Sequence, residues 1–238
     1  MEEKKTKLYD DYWENDSNLS DVNLNDFSLP QVKDLLLCGK KFLQKFDFKK
    51  SNILDIGGGS GKTSRYYGLQ NNGNKLYVID IAPSVIEIAN KMGCIGCVLD
   101  IEKDKFPYDD SFFDFIIFQE VAEHLYSLNN VLTECKRILK PGGMIFLTTP
   151  NIISLADRLF LLLGVRPFSM TIDDQHIKFY RSKDLSRILN SFGFSIITNK
   201  TQGVYFPIFL KGKFVKIPFI HNIFPSLGQH IIIIAEKR

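Results

Sequence analysis

From Pro30 onward the apolar positions Val32, Leu35, Leu36, Phe42, Leu43 and Phe46 recur at approximately helical spacing, which predicts a helix with one stripe to bury. A strand follows from Asn52 to Ile56 and runs straight into glycines; after it come a helix-compatible stretch over 62–71 and a strand from Lys75 to Ile79. Pro83 and Ser84 open a helix that Gly93 stops, Gly96 to Leu99 reads as a third strand, and the apolar run Phe112 to Phe118 as a fourth. A helix from about Asn129 to Leu139 is closed by Lys140-Pro141-Gly142-Gly143, and Met144 to Thr148 makes a fifth strand. Strands that alternate with helices in this way predict an α/β fold, a doubly wound and mostly parallel sheet with helices on both faces.

Residues 151–182 interrupt the rhythm with an apolar helix, Ser154 to Leu163, and a polar loop carrying His176. It resumes with a helix from Lys183 to Phe192, a sixth strand near Phe194 to Asn199 and a seventh, antiparallel, from His230 to Ala235. Residues 1–29 form a polar arm or lid with Tyr9, Tyr12 and Trp13, and residues 30–238 one domain with cap insertions near 151–182 and 203–228. No internal repeat is present.

Composition changes this picture little. A net charge of +3 names no nucleic-acid partner. The charged start, MEEKKTKLYDDYWEND, lacks the apolar core of a secretory signal, and no apolar run approaches the roughly 18 residues of a membrane span, so a cytoplasmic protein is expected, monomer or homodimer. Cys94 and Cys97 form a CxxC, but no second pair completes a zinc site, and they read as small residues leading into a strand.

The chemistry starts at "LDIGGGSGKT", residues 54–63. A phosphate-binding P-loop ending in Gly61-Lys62-Thr63 needs its first glycine at Ile56, so the loop is one residue short. A dinucleotide GxGxxG starting at Gly57 puts Lys62 where close helix packing wants glycine; Lys62 itself reads as a solvated helix-start lysine. The spacing that fits is Asp-x-Gly-x-Gly-x-Gly, with Asp55, Gly57, Gly59 and Gly61. An acid ahead of bare glycines suits a ligand with a cationic amine, and S-adenosylmethionine has one beside a sulfonium. Asp80 ends the next strand, where a carboxylate can accept from both ribose hydroxyls, and Asp100 ends the one after, near where adenine would lie; each could instead cap the turn that follows it.

Here the chain resembles the class I S-adenosylmethionine-dependent methyltransferases. The likeness runs from about Lys50 to Phe194 through "LDIGGGSG", "YVIDIAP", "VLDIEKDKFPYDDSFFDFIIFQEVAEHL", "RILKPGGMIFLTTPN" and "HIKFYRSKDLSRILNSFGF". It implies a Rossmann-like, seven-stranded sheet. It also implies Asp55 toward the methionine amino group, Gly57 and Gly59 beneath the methionine portion, Asp80 on the ribose, Ile81 against adenine, and Asp100 with Ile101 around the adenine edge; Gly61 and Gln119 complete the expected cofactor set. Gly58 stands where relatives often carry cysteine.

Methyl transfer to a hydroxyl needs an in-line acceptor and help in removing its proton. The fourth strand ends in Gln119-Glu120-Val121-Ala122-Glu123-His124, and if the chain turns helical there, Glu120, Glu123 and His124 share one side of a turn. Two carboxylates and an imidazole suit Mg2+, Mn2+ or Fe2+, with His176 as a fourth ligand; alternatively His124 or His176 is a metal-free base, or the group is structural. His221 and His230 sit beside no acidic cluster and read as packing residues. The Glu-x-x-Glu-His arrangement resembles ubiquinone-biosynthesis O-methyltransferases and small-RNA 2′-O-methyltransferases, and "PNIISLADRLFLLLGVRPF" resembles polysaccharide-associated methyltransferases. The expectation is O-methylation of a small-molecule, lipid-linked or glycan-precursor hydroxyl. RNA 2′-O-methylation and a non-catalytic binding subunit stay open. The segment 203–228, apolar and dotted with lysine, could floor an acceptor pocket, touch a membrane surface, form a dimer contact or simply cover the sheet.

Overall fold

In the computed structural model, which describes residues 6, 22, 24, 29–171, 175–208, 213–218 and 220–238, Asn52–Ile56 is β1 and Lys75–Asp80 is β2. Before them Pro30–Leu43 is α1, and between them lies Lys62–Tyr66, α2, shorter than its sequence pattern because Gly68 takes a left-handed φ of +81° and ends it. Pro83–Lys91 is α3, Ile95–Val98 β3 and Phe113–Gln119 β4. A single 3-10 turn at Ala122–His124 leads to Asn129–Ile138, α4, and to Leu139–Pro150, β5.

β5 is longer than expected. Lys140-Pro141-Gly142-Gly143 does not separate helix from strand but bulges within it: pairing with β4 jumps from Phe113↔Leu139 to Phe115↔Met144, with Gly142 at a φ of +74°. Leu155–Leu162 is α5, capped by the Ser154 hydroxyl, which accepts the Asp157 amide; Phe168–Thr171 is α6 and Ser182–Ser191 α7. Phe194–Gln202 is β6 and His230–Lys237 is β9. The 203–228 excursion holds a two-stranded antiparallel ribbon, Tyr205–Ile208 (β7) with Lys213–Lys216 (β8), then Ile220–Ile223 (α8) and a 3-10 turn, Pro225–Leu227.

The main sheet has the order β3-β2-β1-β4-β5-β9-β6, parallel from β3 to β5, with β9 antiparallel to both its neighbours. Successive strand residues bury on opposite faces: Leu54 and Ile56 join Phe118, α4 and α7 on one, whereas Ile53, Val78 and Ile117 join α1 and α3 on the other. Each such side chain contributes about 1.5–3 kcal/mol on burial. Chain order reverses between β1 and β4, which opens a crevice outside their carboxyl ends. Among the described residues no helix is long and apolar enough to cross a membrane. Tyr9, Tyr12 and Trp13 lie outside the described residues.

Candidate functional site

The crevice holds a cavity of about 370 Å³, the size of a small-ligand site. Its wall is built from the carboxyl ends of four strands: Asp55 and Gly57 from β1, Asp80 and Ile81 from β2, Asp100 and Ile101 after β3, and Gln119 and Glu120 from β4. Val32, Leu35 and Leu36 of α1 close it from above, and Gln175, His124 and His230 reach it from the far side. Of the expected cofactor residues, Gly59 and Gly61 shape the loop without lining the cavity, whereas Lys62, expected in solvent, borders it.

The loop after β1 needs its glycines for two separate reasons. Gly57 has a φ of +64°, and a Cβ there would sit 2.6 Å from Val121 Cγ2. Gly58, the departure from the resembled pattern, has its missing Cβ only 2.5 Å from Asp55 Cγ. The loop is tied to β2, since the Gly57 amide donates to the Ile79 carbonyl at 2.8 Å and the Gly59 amide to Asp80 Oδ2 at 3.0 Å. Asp80 Oδ1 accepts the Ala82 amide at 3.0 Å. Asp80 thus does cap its turn, and it does so while lining the cavity.

Asp55 is buried beneath the loop and accepts from Ser64 Oγ at 2.6 Å. Burial pushes its carboxyl up to about 7, the Ser64 bond opposes this, and the nearby Asp80 charge adds to it. Asp100 accepts the Glu102 amide at 3.1 Å and pairs with Lys103 at 2.9 Å. Gln119 Oε1 accepts the Tyr67 hydroxyl at 2.8 Å, which leaves Nε2 as its donor end. Tyr67 fits only because Gly39 of α1 has no side chain; a Cβ there would lie 2.6 Å from the phenol oxygen. Cys94 packs against Gly61, and burial holds its thiol up at about 11, in keeping with a packing role.

The turn after β4 departs from the expected helical arrangement. Glu120 sits at a φ of +53°, which throws its side chain away from Glu123 and His124. Its Oε1 accepts from Thr148 Oγ1 at 2.8 Å and its Oε2 lies 3.6 Å from His230 Nε2. Burial raises the Glu120 carboxyl to about 7 against the Thr148 bond, and lowers His230 to about 4, so this imidazole is neutral near pH 7. His230 is therefore not the acid-free packing residue that its sequence neighbours suggested.

Glu123, His124 and His176 do come together, with one candidate ligand atom from each lying within 4.8 Å of the others. Glu123 is buried and accepts Thr149 Oγ1 at 2.8 Å through Oε2, while Oε1 stands 3.9 Å from His176 Nε2. The Glu123 carbonyl accepts the amides of Ile177 and Lys178 at 2.9 and 3.0 Å, fastening the polar loop to the 3-10 turn. Both imidazoles meet backbone carbonyls through Nδ1: His176 at Ser169 (2.9 Å) and His124 at Gln175 (3.3 Å). A carbonyl can only accept, so each Nδ1 carries a proton, and in the neutral form of either ring the lone pair is the one on Nε2. That is the tautomer a metal or a transferable proton requires. Of the three residues only His124 borders the cavity.

Sequence reasoning missed the α1 wall, Gln175, and the Glu120–His230 pair. The signal for α1 was present: Val32, Leu35 and Leu36 make a tight i, i+3, i+4 apolar set followed by a glycine inside the helix. No sequence signal joins Glu120 to His230, 110 positions apart.

A family model described as a methyltransferase domain matches residues 31–199. The ubiquinone biosynthesis O-methyltransferase of Xanthomonas oryzae is 29% identical over 112 residues, 45% of this chain and 46% of that protein. The human mitochondrial ubiquinone biosynthesis O-methyltransferase is 30% identical over 193 residues, 74% of this chain and 50% of that protein. The chain thus spans about half the length of these curated relatives. Two crystal structures of SAM-dependent methyltransferases share the fold: one from Aquifex aeolicus (TM-score 0.59, 19% identity, 90% of this chain and 97% of that one) and one from Archaeoglobus fulgidus (0.62, 20%, 85% and 94%).

Proposed function

The chain belongs to the S-adenosylmethionine-dependent methyltransferases, and from that premise we propose that it methylates a hydroxyl of a small molecule or glycan precursor. The observation that carries this is the convergence of His124 and the strand-end acids on one cavity, with Glu123 and His176 directly behind His124. In this reading Asp55 and Gly57 face the methionine end of S-adenosylmethionine, Asp80 the ribose, and Ile81, Asp100 and Ile101 the adenine. Gln119 Nε2 is a donor toward the same ligand.

Glu123, His124 and His176 are the residues that would hold a divalent cation such as Mg2+ or Mn2+. The donor set fits: one carboxylate oxygen and two Nε2 lone pairs whose opposite ring nitrogens are already fixed by carbonyls. When bound, such an ion acidifies and orients an acceptor hydroxyl. Glu120 is left out, because its carboxylate is committed to Thr148 and His230.

A second reading draws on the same tautomers. His124 Nε2, at the cavity wall, is placed to take the acceptor's proton by itself, with Gln175 and the carboxylate of Glu123 holding the ring and its charge.

The test is binding of S-adenosylhomocysteine by calorimetry, followed by methyl transfer to catechols, glycans and RNA ends, with EDTA or with added Mn2+. Saturable binding and metal-dependent transfer to a small hydroxyl acceptor are expected. Transfer that is indifferent to EDTA selects the metal-free base, and transfer only to RNA displaces the small-molecule acceptor. Binding without transfer makes the chain a binding subunit, and failure to bind overturns the proposal.

A further inference from the structure

The sheet face beneath α1 carries buried polar atoms that no protein group satisfies. Among the described residues these include Oε1 and Nε2 of Gln31, Oε1 of Gln202 and Nδ1 of His230. Gln31 is 1% accessible and His230 7%, so bulk solvent does not satisfy them either. A buried donor or acceptor left unpaired destabilises the fold, and native proteins keep few of them without a reason.

These atoms gather at one end of the cavity. His230 and Gln202 are direct partners across the antiparallel β6–β9 pair, which puts both side chains on the same face. That face lies under α1, because Ile232 and Ile234, on the same side of β9 as His230, pack in one cluster with Leu35 and Leu36. Gln202 Nε2 accordingly donates to the Asp34 carbonyl of α1 at 3.3 Å; since a carbonyl only accepts, the oxygen is the orphaned end of this amide. Gln31 stands one turn before Leu35 on α1, and Leu35, His230 and Glu120 all line the cavity. Glu120 Oε2 and His230 Nε2, 3.6 Å apart, are beyond hydrogen-bond length, so an oxygen seated beside the pair can bond to both.

The functional groups select the ligand. Gln31 offers donor and acceptor, Gln202 and Glu120 offer acceptors, and the neutral His230 ring offers one of each whichever nitrogen holds its proton. A hydroxyl brings one donor and two acceptor lone pairs, so a saturated ring bearing several hydroxyls meets the whole set. The flat face of an aromatic acceptor leaves the amides unpaired, an ammonium leaves the donors unmet, and a carboxylate meets Glu120 with like charge. We propose that Gln31, Gln202 and His230, with Glu120, hold the non-reacting hydroxyls of the methyl acceptor, which makes that acceptor a neutral polyol of the sugar class. The assignment rests on the proposed O-methyl transfer and narrows it: His124 addresses the hydroxyl that reacts, and the start of β9 those that do not.

The experiment is saturation-transfer NMR on the full chain loaded with S-adenosylhomocysteine, titrated with methyl glycosides of glucose, galactose, mannose and rhamnose, and with catechol and cyclohexylamine. At least one glycoside should bind saturably, and about tenfold or more tightly than catechol or the amine. Gln31→Met deletes both orphaned atoms at similar volume and should weaken that glycoside about tenfold. S-adenosylhomocysteine affinity and the melting temperature should not fall with it, because an amide without partners contributes no stability, whereas a glutamine that merely supported the fold would lower the melting temperature. His230→Phe should weaken the same glycoside. Protein that binds S-adenosylhomocysteine but no glycoside, or that prefers catechol or the amine, overturns the proposal, as do both variants binding the glycoside like wild type; should a variant misfold, the wild-type preference decides alone. Tritiated S-adenosylmethionine separates this outcome from that of the proposed function. Catechol methylated by a protein that ignores glycosides removes the polyol site and leaves O-methyl transfer standing, whereas a glycoside bound in wild type, lost in Gln31→Met and never methylated supports the site and counts against the transfer.

Discussion

Asp80 accepts the amide of Gly59 at 3.0 Å, so the carboxylate that ends β2 also sets the height of the glycine loop that follows β1. Asp80→Ala removes the acceptor for this amide and for that of Ala82, each loss costing about 1–3 kcal/mol if the amide stays dry. Denaturant unfolding should show the loss, and calorimetry at least a hundredfold weaker S-adenosylhomocysteine binding. Asp80→Asn, which keeps one acceptor, should fall between; an alanine variant that binds normally would remove Asp80 from the site.

Asp55 predicts a pH dependence. Its folded carboxyl is raised from 3.8 to about 7, so the stability tied to its protonated form is fully present below about pH 4 and is lost as pH rises through 7. Asp55→Asn, neutral throughout and still able to accept from Ser64, should gain on wild type across that window by up to about 1.4 kcal/mol per pH unit and run parallel above it. Urea melts of both proteins from pH 4 to 8 give the difference directly; a constant gap would contradict the assignment.

For the cluster behind His124, the expectation is that Glu123→Gln or His176→Ala weakens Mn2+ binding at least a hundredfold, as loss of a ligand from a three-residue set should. Native mass spectrometry and calorimetry read it. Equal Mn2+ affinity in wild type and both variants would leave the trio as a proton-handling or structural group.

Gly39 and Tyr67 give a paired prediction on the wall. Tyr67→Phe deletes only the bond to Gln119 and should cost about 0.5–1.5 kcal/mol. Gly39→Ala must displace the ring itself and should cost about 1–3 kcal/mol, with a parallel loss of S-adenosylhomocysteine affinity. If Gly39→Ala proves the milder of the two, α1 shifts more freely than its packing implies.

What the sequence made legible follows from how local each cause is. β1 and β2 were readable because apolar runs in a parallel sheet are buried on both faces, and the glycine loop because its backbone needs residues without Cβ. Lys140–Gly143 misled, since a Pro-Gly-Gly that normally breaks structure is here absorbed as a bulge in β5. Glu120 misled for a related reason: three-residue spacing to Glu123 presumes helical backbone, and a left-handed φ at Glu120 itself breaks that premise. His230 was beyond local reading, because its partner is set by the insertion of β9 beside β5.

That insertion has a consequence for how the protein is made. β9 lies between β5 and β6, so during synthesis β6 emerges with no neighbour to pair with, and the five strands through β5 stand with an open edge. Only when residues 230–237 leave the ribosome can both edges close around them, and the same event delivers His230 to Glu120. A nascent chain stalled before that point holds the glycine loop and the strand-end acids but a sheet in two pieces, vulnerable to chaperone capture and to pairing with the wrong strand.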